Sequence, residues 1–133
     1  MTERRPIATL AAAISELCTI RQQLSAERKR AETRFDALAP PTVAEAMANP
    51  EALAAHHLAR IATGLTTAEA AEDAVEEAIG SLTAAVLATP ATTLGDLAIK
   101  ATALERLAEG DSVIETSDIA GLLADIRRLA DAP

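Results

Sequence analysis

A chain of 133 residues has the length of one domain, and half of it is apolar, yet Phe35 is its only aromatic residue. Alanine and leucine supply most of the apolar content and valine is scarce, a balance that suits helices brought close together rather than sheets. The net charge of −8 excludes a generally basic surface for nucleic acid, and no run approaches the roughly 18 apolar residues that cross a bilayer.

The N-terminal segment carries the clearest pattern. Ile7, Leu10, Ile14, Leu17, Arg21, Leu24, Arg28, Ala31, Phe35 and Leu38 recur at alternating spacings of three and four, the a/d register of a coiled-coil seam. Pro6 suits a first helical turn, and Pro40-Pro41 ends the run. A helix over residues 7–38 would be about 48 Å long. Arg4-Arg5 before Ile7 has the outline of a targeting leader, but Ser15-Glu16 and the regular repeat read better as a helix start. Arg21 and Arg28 hold a positions, where a buried charge is costly unless paired. Either their stems reach out past the core, or they face carboxylates of a partner helix. Residues 1–38 carry seven basic against five acidic side chains, and the remainder five against fifteen, so the two parts can attract each other.

Residues 42–48 read as a short helical turn or two. Asn49-Pro50 marks a start, with Asn49 as N-cap and Pro50 at the first helical position. This helix runs to about residue 63, with Leu53, Leu58 and Ile61 expected inward and Leu65 a further candidate. Gly64 ends it or merely kinks it, and Thr66 with Glu69 offers a capping box for a helix over 67–88. That helix places Ala71, Val75, Ala78, Leu82 and Ala85 on one stripe, widened by Ile79 and Val86. Thr89-Pro90 stops it. Thr92 or Thr93 caps a helix over 94–109 with Leu94, Leu97, Ala101, Leu104 and Ala108 inward, closed by Gly110. A last helix over 112–130, or starting near Ser117, carries Ile119, Leu122, Leu123, Ile126 and Leu129.

Residues 88–100, reading ATPATTLGDLAIK, resemble a stretch in small bacterial all-helical proteins that share a TPATTL-type helix start. The resemblance implies an all-helical fold and no assigned activity. Ala55-His56-His57-Leu58-Ala59-Arg60 also looks like the histidine helix of histidine phosphotransfer domains, with Arg60 standing where their small glycine is found. That resemblance implies phosphate transfer through His56 or His57.

Other chemistry finds little support. His56 and His57 point about 100° apart on a helix, and neither has a metal-ligating residue three or four positions away. The acids from Glu69 to Glu77 lack the Glu-x-x-His pattern of di-metal bundles and read as a solvated face. Arg28, Lys29 and Arg30 form a short basic run, a candidate nucleic-acid contact that the acidic remainder does not extend. Cys18, the only cysteine, forms no internal disulfide, fits a reducing compartment, and has no nucleophile motif around it.

These readings lead to an all-α fold: an antiparallel helical bundle of about four to five helices with a long coiled-coil-like N-terminal helix. One domain over 1–133 is expected, divided into the long helix (1–39) and a bundle (42–133). The expected function is a non-enzymatic, cytoplasmic interaction or scaffold protein that needs no cofactor and no membrane. It would pair as a homodimer through the ten seam residues.

Overall fold

The computed structural model describes residues 6–110 and 113–132. Among these residues lie six helices and no strand: α1 (Ile7–Ala37), α2 (Val43–Ala48), α3 (Pro50–Ala62), α4 (Leu65–Ala88), α5 (Leu94–Glu109) and α6 (Thr116–Ala130). The expected all-α class is found, with a first helix unbroken over 31 residues. Arg4, Arg5 and the earlier start considered at Ser112 lie outside the described residues.

Local chemistry sets the helix ends. The Pro6 carbonyl accepts from the amides of Thr9 and Leu10, which starts α1. At its other end Ala39 adopts φ +47°, and the two prolines follow. Thr42 and Glu45 cap α2 reciprocally. Asn49 Oδ1 accepts from Glu51 N–H at 2.8 Å, with Pro50 in the first turn of α3. Thr63 turns its hydroxyl back to the Ala59 carbonyl at 2.7 Å, and Gly64 takes φ +77°. That left-handed residue divides 50–88 into two helices. It also overturns the expected Thr66 capping box: α4 already begins at Leu65, so Thr66 lies inside the helix. Thr93 caps α5, accepting from Asp96 N–H at 3.0 Å. At the start of α6, Asp118 Oδ2 accepts from the Glu115 N–H at 3.2 Å.

The chain divides into two compact units. One combines residues 6–17 with 78–110 and 113–132; the other is residues 18–77. In the first, Ile7, Leu10, Ile14, Ile79, Val86, Leu87, Ala91 and Ala103 are buried, together with Thr83, Lys100 and Asp125. In the second, Ala31, Leu65 and Ala68 cluster with Phe35 against them, and Ala46 and Thr63 are also buried.

Several expected inward faces are turned outward. On α3, Leu53, Leu58 and Ile61 are exposed, while Ala52, His56 and Ala59 are half-buried and Thr63 at its end is buried. Two alanines and a threonine permit close approach, and His56 gains a backbone partner, so this small polar face docks and the aliphatic one does not. On α5, Leu94, Ala101 and Ala108 are exposed; Lys100 and Ala103 take the buried positions. On α6, Ile119, Leu123 and Ile126 are exposed, Leu122 and Leu129 half-buried, and Asp125 buried. An ion pair with Lys100 sets that rotation.

Candidate interaction surfaces

In the unit of residues 18–77, charged pairs add to the apolar cluster of Ala31, Phe35, Leu65 and Ala68 in joining α1 to α4. Successive acids of the Glu69–Glu77 run project at Glu69, Glu72 and Glu76, the i, i+3, i+7 spacing of one helix face. Arg28 Nε donates to Glu72 at 2.6 Å, and Ser25 Oγ donates to the other Glu72 oxygen at 2.8 Å. Arg21 meets Glu76 at 3.2 Å, and Arg60 of α3 pairs with Glu69. The Ser25 hydroxyl and then Arg28 hold the Glu72 carboxyl below its ordinary pKa, and Glu72 chiefly raises that of Arg28. Both seam arginines therefore face carboxylates of their own unit, and part of the run read as a solvated face is engaged.

Arg34 donates through two nitrogens to the Thr63 carbonyl, at 3.1 and 3.0 Å, at the turn where α3 ends. His56 Nδ1 lies 2.8 Å from the Pro41 carbonyl, and its ring meets Phe35 edge-on with centroids 5.3 Å apart. That geometry places the proton on Nδ1, because a carbonyl only accepts. His57 is exposed. Arg60, the cation nearest these histidines in sequence, is committed to Glu69.

The ten seam residues meet different fates. Ile7, Leu10, Ile14 and Ala31 are buried by their own chain; Leu17, Arg21, Leu24, Arg28 and Phe35 are half-buried. Leu38 alone is largely exposed. In the basic run, Arg28 is bound by Glu72 and by Glu32 at 2.6 Å, and Arg30 by Glu27 at 2.7 Å; Lys29 is exposed.

The opposite side of α3 presents Leu58 and Ile61, 66% and 65% exposed and three residues apart. On α2, which packs against α3, Val43 and Met47 are exposed as well, one turn apart, at 65% and 82%. These are the functional candidates that the sequence reading missed. Met47 sits four residues after Val43, and that pair is the local sign of a second apolar face.

In the other unit, Asp125 accepts from Lys100 Nζ at 2.5 Å and from Arg128 at 2.7 Å, and Arg128 also donates to the Ala91 carbonyl. The Lys100 and Asp125 side chains are 3% and 4% exposed. Burial alone would raise the Asp125 pKa; the bonds from Lys100, Arg128 and the Ala91 amide outweigh it and lower it. An acid at 125, within one turn of Leu122 and Leu129, is the sequence mark of this clasp. Ile119, Leu123 and Ile126 continue along the exposed side of α6.

Among the described residues, no cluster of His, Cys, Asp and Glu is placed to hold a metal ion, and no helix is long and apolar enough to cross a membrane. No family model, no curated protein and no solved structure matches this chain.

Proposed function

We propose that this chain is a non-enzymatic helical interaction protein that self-associates through the exposed apolar side chains of α2 and α3. The observation that carries the reading is the orientation of α3. It docks through alanine, histidine and threonine and holds Leu58 and Ile61 outward. An amphipathic helix ordinarily turns such residues toward a core. Contiguous exposed apolar surface marks an interface more often than a monomer's skin.

A second copy suits this face because a two-fold interface sets one patch against itself, so aliphatic meets aliphatic without a complementary charge. Covering one aliphatic side chain that is two-thirds exposed is worth about 1–2 kcal/mol. Four such residues on each copy supply enough for association at micromolar concentration after the entropic cost of docking. Sedimentation velocity over a range of protein concentrations tests this. The native chain is expected to move from monomer to dimer, and Leu58→Lys with Ile61→Lys to remain monomeric with unchanged helix content. A native chain that stays monomeric throughout, or a doubly substituted one that still dimerises, would overturn the reading.

A further inference from the structure

Unit 6–17 with 78–110 and 113–132 contains a cleft of about 140 Å³ lined by α1, α4 and α5. Ile14, Val86, Ile99 and Ala103 give it apolar walls. The cleft is half-open, and enclosed apolar cavities of about this volume accept a six-membered aromatic ring. Ser15, Thr83 and Thr102 add hydroxyls to the lining, and the two threonines have their protons committed to their own helix, Thr83 to the Ile79 carbonyl at 2.8 Å and Thr102 to the Ala98 carbonyl at 3.1 Å. The two threonines offer acceptors and no free proton.

Among the described residues, Arg106 is the one charged side chain lining the cleft. The ion pairs of this unit join Lys100 and Arg128 to Asp125, and among the described residues none involves Arg106. Its position in the last turn of α5 is already favourable for a cation, and its guanidinium retains donors for an acid. An apolar slot with one guanidinium on its lining is the minimum apparatus for orienting an amphipathic anion.

We propose that this cleft binds a small monocarboxylate whose apolar body has about six carbons: the body lies against Ile99 and the edges of Ile14 and Ala103, and the carboxylate meets Arg106. The cleft lies in a different unit from the α2–α3 face, so the two proposals fail independently.

Benzoate is the probe, with benzyl alcohol as its uncharged counterpart, and methyl resonances of Thr83, Val86 and Ile99 are followed by NMR on the full chain. Benzoate is expected to shift these resonances saturably with a dissociation constant of about 1 mM or tighter, and benzyl alcohol to bind about tenfold more weakly. Arg106→Gln, an exposed position, should bring benzoate down to the level of benzyl alcohol. Ala103→Leu fills the slot and should abolish the binding of both probes; because that variant could disturb the core, its fold is checked by the same spectra. No saturable shift with benzoate would overturn the proposal, as would equal affinity for the two probes or unchanged benzoate binding in Arg106→Gln.

Discussion

Replacing Asp125 by asparagine keeps the side chain's shape and removes its charge. In the native unit that carboxylate, 4% exposed, neutralises Lys100, itself 3% exposed. Asparagine leaves the ammonium buried without a countercharge, whereas Arg128 is half exposed and can turn to water. Removing one partner of a buried pair costs about 3–5 kcal/mol. For a chain of this length that corresponds to a fall in Tm of about 10–20 °C. Replacing both charges, Lys100→Met with Asp125→Leu, removes the cost of burying them and is expected within about 1 kcal/mol of the native chain. Urea unfolding at neutral pH, followed by far-ultraviolet circular dichroism for the native chain, Lys100→Met, Asp125→Leu and the double variant, yields the coupling. A value of about 2–4 kcal/mol is expected. The pH sets a further check. The Asp125 pKa is lowered on folding, so its contribution is complete above the ordinary carboxylate range and fades as pH falls through the lowered value. The gap between native chain and Asp125→Asn should therefore narrow in strong acid. Additive single effects, or an Asp125→Asn variant within about 1 kcal/mol of native, would refute the clasp as the tie between α5 and α6.

The same sign applies at Glu72, held low by Ser25 and Arg28: Glu72→Gln should lower Tm at neutral pH and converge with the native chain in acid, as thermal melts across pH will register. Ala39 sits at φ +47°, where glycine has no Cβ to strain, so Ala39→Gly should stabilise by about 0.5–1 kcal/mol in urea titrations. Gly64→Ala at φ +77° should destabilise by about 1 kcal/mol; the added Cβ would lie an ordinary 3.7 Å from Arg34, so the backbone angle alone sets the cost. Leu58→Lys with Ile61→Lys should leave the stability of the isolated monomer within about 0.5 kcal/mol, measured at concentrations too low for association, because neither side chain is in its core.

Element identity was legible in the residues. The three-four repeat gave α1, Asn49-Pro50 placed the start of α3, and Thr93 that of α5, because these depend on interactions within a turn or two. The polar a positions, Arg21 and Arg28, announced a need for carboxylates but not their source. Glu72 and Glu76 stand 44 and 55 residues away in the chain from the arginines they meet.

By itself the sequence determined that the chain is helical, where most helices begin and end, and which side of each is apolar. Tertiary structure alone decided which way those sides face. Periodicity records that Leu58 and Ile61 share a stripe, as do Ile119, Leu123 and Ile126; it carries no sign of what lies opposite. On α3, close approach of small residues and the His56 contact with Pro41 outweigh aliphatic burial, and on α6 the attraction of Lys100 for Asp125 does the same. Both are contacts between separate segments, and a rotation of a quarter to half of a helix turn is decided only when those segments meet.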